Sequence, residues 1–345
     1  MKSLLTFSSA WTSASFKAPW ARGLGPIAIE YRDDVARLAQ VEVRSGEVVA
    51  AARVAHDPSR PERSAELIGR VLRSNGFQGR ACVVGLPFAA ARAETMMVDD
   101  DDDDSIRAAI EREAPQRFGC AAPQAGFLRL SPPSTVAAST TAGQSLCAPQ
   151  SGRVEVAAIV ADRLMVEALL HPLIDCGILP EAAEPSFVSA ARACSRMYRR
   201  GADRDRVRLA IDSSLRGAVV MLLVGERIAY CRCIDEIDLL PGAVAECLHD
   251  GLPYVAGCGS ATEIRLGGAR AEDAALSAAL EQACGLPVRF DDAQSTIGTA
   301  WRAITARVAR EDRPWDWAGV LGLSFRRTTR RAMRDASGRL DREAA

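Results

Sequence analysis

One pattern occurs twice along this chain, and a repeated supersecondary unit restricts the fold more than composition does. The clearer copy is residues 207–233, VRLAIDSSLRGAVVMLLVGERIAYCRC. Val207, Leu209 and Ile211 alternate with their neighbours, residues 218–224 are an unbroken apolar run, Gly225 and Glu226 mark a tight turn, and residues 227–233 run back. Period-two alternation and short apolar runs bounded by glycine and charge are strand signals. The first strand ends in an acid, Asp212, followed by Ser213, Ser214, Leu215, Arg216 and Gly217. A turn that sets a carboxylate beside free backbone N–H groups and a hydroxyl can hold a metal-bound phosphate. The same residues also make an ordinary surface hairpin.

The second copy lies near the start, in residues 26–54, PIAIEYRDDVARLAQVEVRSGEVVAAARV. A strand ends in Glu30, a polar turn follows at Arg32, Asp33 and Asp34, a second strand covers 35–43, Gly46 turns, and a third strand returns. Each meander leads into a helix and a further strand. These are expected at 64–75 and 81–86 after the first, and at 244–250 and 262–266 after the second. The prediction is an α/β protein of duplicated architecture, with two lobes and a central cleft.

Composition narrows the chemistry. At 345 residues the chain has room for about two sizeable cores. A net charge of -1 gives no basic field for nucleic acid. Lysine occurs only at Lys2 and Lys17, so there is neither a P-loop lysine beside a glycine-rich turn nor an amine for Schiff-base chemistry. The ten cysteines form no CxxC pair, and His56, His171 and His249 are far apart, so free thiols in a reducing compartment are expected rather than a metal or disulfide framework. No apolar run is long enough for a signal peptide or membrane span, which points to the cytoplasm.

Between the two copies the character changes. Residues 92–98 read as a strand, followed by six aspartates at 99–104 and an apolar-periodic helix that Pro115 ends or kinks. The aspartate run lacks the spacing of a calcium loop and is expected to be a solvated turn. Residues 131–152 are rich in Ser, Thr, Pro, Gly and Ala and read as a flexible loop, after which 154–160 resume as a strand. The expected organisation is an N-terminal extension (1–25), a first lobe in two parts (26–91 and 161–203), a small α/β insertion (92–160), a second lobe (204–326) and an Arg-rich tail (327–345). Asp162 is a candidate cap for a helix over 162–176, and further helices are expected at 186–199, 271–283 and 294–309. Gly267 and Gly268 close a strand just before a helix, where missing side chains let backbone approach a flat ligand.

The segments IAIEYRDDVARLAQV, VVGLPFAAARAETMMV, DSIRAAIEREAPQRF, LAIDSSLRGAVVMLLVGERI, IRLGGARAEDAALSAALEQACGLPVRF and GVLGLSFR, in this order and spacing, together with residues 154–185, resemble the PilM family of actin-like proteins of type IV pilus assembly, kin to the cell-division protein FtsA. The resemblance spans most of residues 26–326. It implies an actin/hexokinase-like (ribonuclease H-like) fold with a small insertion domain, ATP and Mg as cofactors, and docking of the N-terminal peptide of a PilN-like inner-membrane protein. Self-association and an indirect hold on the membrane through that partner are further expectations.

The resemblance places cofactor-binding roles on Glu30, Arg32, Arg37, Asp212, Ser213, Ser214, Gly267 and Gly268, with Asp212 as the metal-side carboxylate. Four positions depart from the family pattern. Glu30 stands for the first aspartate, Arg32 for the hairpin glycine, and Arg37 for the lysine; in the second hairpin Asp212 remains, while Ser213-Ser214 lacks the glycine. Bulk at Arg32 and charge at Asp33 and Asp34 crowd the place where phosphate would lie, unless Arg32 or Arg37 pairs with phosphate itself. The expectation is a scaffold with degenerate phosphate loops and little or no turnover; the alternative is an active ATPase or sugar-kinase-like enzyme of the same fold.

Overall fold

The computed structural model describes residues 23–42, 45–130, 152–196, 207–225, 227–255, 258–290, 304, 308 and 312–324. The first meander is β1 (Ile27–Arg32), β2 (Val35–Val41) and β3 (Val48–Ala55), paired antiparallel. Helix α1 (Pro61–Ser74) then carries the chain over the sheet to β4 (Ala81–Leu86), which runs parallel to β1. Pro61 sits at the start of α1, where its missing N–H breaks no helical bond.

The insertion follows: β5 (Ala91–Asp99), α2 (Asp103–Phe118), β6 (Pro123–Arg129) and β7 (Arg153–Asp162). The chain returns through α3 (Arg163–Asp175), β8 (Leu179–Pro185) and α4 (Ser186–Arg196). The second meander is β9 (Val207–Ser213), β10 (Ala218–Val224) and β11 (Arg227–Ile234), followed by α5 (Leu240–Gly251), β12 (Ile264–Gly268), α6 (Ala274–Cys284), β13 (Val288–Phe290) and α7 (Ala318–Ser324).

The duplication is visible in the strand orders. One sheet runs β3-β2-β1-β4-β8, and the other contains β11-β10-β9-β12-β13. In each, a meander supplies three antiparallel strands and two parallel strands extend its first strand. Each first-lobe face is packed by helices. Ile27, Ile29 and Tyr31 meet Ile68 of α1 and Val166 and Leu173 of α3, while Ala28, Ala39 and Val83 meet Val320, Leu321 and Leu323 of α7. Each fully buried aliphatic side chain contributes about 1.5–3 kcal/mol of transfer free energy.

Burial on both faces explains one departure from the sequence expectation. The alternation of Val207, Leu209 and Ile211 suggested a half-buried strand, yet Arg208 and Ala210 between them are also buried. The second sheet has α5 and α6 on one face and α4 on the other, where Phe187 and Ala191 pack against Ala210, Val219 and Met221.

In the insertion, two expectations take a definite form. Pro115 does not end α2; the helix runs on to Phe118 and stops at Gly119, which adopts a left-handed φ of 63°. The aspartate run is exposed but not free-standing. Asp102 caps α2 by accepting from the Asp104 and Ser105 N–H groups, while Arg129 pairs with Asp100 and Asp103. The helix expected at 294–309, the loop expected at 131–152, the N-terminal extension and the tail lie outside the described residues, apart from positions 23–25, 152, 304 and 308. Among the described residues no helix is long and apolar enough to cross a membrane.

Candidate functional site

The duplicated frame brings two strand ends together. In the first sheet Glu30 lies opposite Gly85 of β4, and in the second Asp212 lies opposite Gly267 of β12. The two acids therefore occupy equivalent places in the two copies. Arg32, two residues beyond Glu30 at the tip of β1, reaches across the gap between them. Its Nε donates to Glu30 Oε1 at 2.6 Å, and Nη1 and Nη2 donate to Asp212 Oδ1 and Oδ2 at 2.7 and 3.2 Å. The planar fork of a guanidinium suits this two-sided grip, which a lysine ammonium could not reproduce.

Burial strengthens the arrangement. The Glu30 side chain is fully buried, and those of Arg32 and Asp212 are only 12% and 11% exposed. Burial works against the charge on Arg32, but Asp212 and Glu30 more than offset it and hold its pKa above the ordinary value. Burial pushes the Glu30 carboxyl above its usual range, with the Arg32 charge opposing the rise. Among the described residues Glu30 Oε2 has no hydrogen-bond partner, which fits a desolvated carboxyl. Asp33 stands at a positive φ of 42° on the first hairpin, and burial pushes its carboxyl above the usual range.

The remaining sequence-identified residues are engaged within the fold. Arg37, opposite Glu30 on β2, donates to Asp312 at 3.1 Å and lies 3.5 Å from Asp316. Ser213 Oγ donates to the Gly267 carbonyl at 2.6 Å and accepts from the Arg270 N–H at 3.0 Å. Ser214 Oγ accepts from the N–H groups of Arg216 and Gly217, closing its own hairpin turn. Gly268 has φ +86°, and a Cβ there would stand 2.0 Å from the Ser213 carbonyl oxygen. The glycine pair thus seats the β12 end directly on β9.

Arg32, Asp212, Gly267, Gly268 and Trp315 line a small pocket of about 10 Å³, on the order of one water molecule. Small-molecule sites occupy roughly 300–1,000 Å³. The site as arranged does not fit Mg and a triphosphate: Arg32 stands between the two acids, both Asp212 oxygens are bonded to it, and the Ser213 and Ser214 hydroxyls already have partners.

Sequence reasoning passed over the residues that press on this site from below. Gly319 and Gly322 fall on one face of α7. A Cβ on Gly319 would stand 2.0 Å from Glu30 Oε1, and one on Gly322 1.8 Å from the Ser189 carbonyl oxygen of α4. The signal was present as two glycines three apart in an apolar stretch. Asp312 carried no signal, because its partner Arg37 is 275 residues away in sequence.

No protein-family model matches the chain, and no curated protein matches it in sequence. Solved structures do match. The PilM-PilN type IV pilus biogenesis complex superposes with a TM-score of 0.61 at 16% identity, over 87% of this chain and 97% of that one. This superposition and the twice-used strand order agree. The chain has a duplicated actin-like fold. Two further matches are looser. The cytoplasmic domain of EpsL, an inner-membrane component of the type II secretion system of Vibrio cholerae, gives 0.41 at 14% identity, over 88% and 96% of the two chains. The ethanolamine utilization protein EutJ from Carboxydothermus hydrogenoformans gives 0.43 at 10% identity, over 88% and 89%. Within the actin-like frame, the Arg32 bridge stands where the two lobes converge.

Proposed function

We propose that this chain is an actin-like scaffold of a type IV pilus-type assembly platform, held closed by its own ion pair rather than governed by nucleotide. Its partner is the N-terminal peptide of a PilN-like inner-membrane protein, and it meets the membrane through that partner. The observation that carries this reading is the Arg32 bridge between Glu30 and Asp212. A guanidinium there supplies the positive charge that two facing carboxylates need, and it leaves no room for a metal-bound phosphate. The fold shared with a PilM–PilN complex supports the choice of partner.

The alternative, an active ATPase or sugar-kinase-like enzyme of the same fold, needs a cleft carboxylate with free oxygens, and Asp212 offers none in this arrangement. The test is a titration of the purified chain with a labelled synthetic peptide. The peptide copies the N-terminal segment of a PilN-like inner-membrane protein. Saturable anisotropy in the absence of nucleotide, unchanged by Mg·ATP, is expected. No binding, or binding only with Mg·ATP, overturns the proposal.

A further inference from the structure

The insertion belongs to the first lobe in sequence, but its hydrogen bonds lead to the second. Strand β5 joins the edge of β11, with Glu94 opposite Arg232, so β5, β7 and β6 continue the second lobe's sheet. Side chains reinforce the seam. Thr95 Oγ1 accepts from the Cys231 N–H at 3.0 Å, and the Ala93 N–H donates to Cys233 Sγ at 3.0 Å. Tyr254 donates its hydroxyl to Glu155 Oε1 at 2.7 Å, and Arg92 pairs with Asp235 at 3.1 Å. Ala93, Ala157 and Ile159 of the insertion share one apolar cluster with Val219, Met221 and Cys231 of the second lobe.

The join to the first lobe is narrower. The chain leaves and re-enters it at Ala91 and Ala161, which pair with each other. Only these strand ends enter the first-lobe core. Helix α4 of the first lobe also lies against the shared cluster through Phe187 and Ala191. The directional bonds to the first lobe, from Arg92 Nη1 to the Phe88 carbonyl at 2.6 Å and from the Arg163 N–H to the Ala122 carbonyl at 2.9 Å, lie beside the two strand ends, whereas the seam to the second lobe runs along β5 and β11 and on to Tyr254.

We infer that the insertion and the second lobe form one mechanical body, hinged on the first lobe at Ala91 and Ala161, with the Arg32–Asp212 pair as the clasp between the two bodies. The inference rests on the proposed reading only in taking that pair as what closes the cleft. Releasing the clasp opens the cleft and, through the shared sheet, shifts the insertion against the first lobe. A partner seated between insertion and first lobe would then sense the clasp without touching it.

The test uses the full chain with spin labels on unnatural amino acids at three exposed positions. These are Glu66 on α1, Asp104 on α2 and Glu246 on α5. Three pairwise distance distributions are measured by double electron–electron resonance in the parent chain, in Asp212→Asn and in Arg32→Ala. In the variants the 66–246 and 66–104 distributions lengthen or broaden together, while 104–246 is unchanged. A 66–104 distance that stays fixed while 104–246 changes overturns the inference, because the insertion then travels with the first lobe. So does the absence of any shift in either variant. Asp212→Asn keeps the shape of the side chain, so the measurement survives if Arg32→Ala fails to fold. A Mg·ATP titration is a separate readout, so failure of the nucleotide reading leaves the distances interpretable.

Discussion

Glu30 and Asp212 stand on different sheets, 182 residues apart, yet bond to the same guanidinium. Each ends the first strand of its copy of the fold, and each faces a glycine on the neighbouring parallel strand. Two acids meeting in a low-dielectric cleft repel unless a cation is placed between them. Arg32 is that cation, supplied by the chain itself. Arg32 is thus the side chain that reconciles the two carboxylates.

Arg32→Ala removes the shared partner of a buried and a nearly buried carboxylate. Breaking a buried pair by deleting one member costs about 3–5 kcal/mol. Chemical denaturation should show a loss of about 3 kcal/mol, and Arg32→Lys should recover only part of it because the fork is lost. A loss under about 1 kcal/mol would mean that the pair behaves as a solvated surface bridge.

Glu30 gives a pH dependence with a definite sign. Its folded-state pKa is raised by burial above the ordinary value of 4.5, against the opposing charge of Arg32. Relative to the unfolded chain, the folded protein therefore favours the protonated form. Its contribution to stability is fully present below pH 4.5 and is lost as pH rises through the folded value. Glu30→Gln removes this dependence. The melting temperature of Glu30→Gln relative to the parent should rise as pH increases from 4.5 towards neutrality. A fall over the same range would show that pairing with Arg32 outweighs burial.

The glycines beneath the cleft should resist even a methyl group. At Gly322 the obstacle is backbone, the Ser189 carbonyl, and at Gly268 a left-handed φ adds to the clash with Ser213. Overpacking of this kind costs typically 1–3 kcal/mol. Gly322→Ala and Gly268→Ala should each lower stability by about that amount in urea unfolding. Gly242→Ala, where a Cβ meets nothing within 4 Å, serves as the control and should change it little.

The fold was legible where periodicity and punctuation agree. The strand expected at 81–86 is β4, Asp162 caps α3 by accepting from the Leu164 and Met165 N–H groups, and the doubled meander gave the two-lobed plan. Local pattern could not show that Arg208 is buried, because burial on the second face comes from elements distant in sequence. It could not show that Pro115 is absorbed in the last turn of α2, or that the insertion sheet joins the second lobe. In the site, the sequence identified the acids and the substitution at Arg32. It carried no sign that Arg32 turns back on Glu30 and across to Asp212, because that contact depends on how the two sheets meet.

The central claim is that Arg32 fills the cleft in place of metal and phosphate, and thermal unfolding of the purified chain with and without Mg·ATP tests it most directly. A ligand present at 100 times its Kd stabilises by about 2.7 kcal/mol, which would raise the midpoint by several degrees. The account predicts no rise for the parent chain at any Mg·ATP concentration tested. A saturable rise that disappears in Asp212→Ala would contradict it.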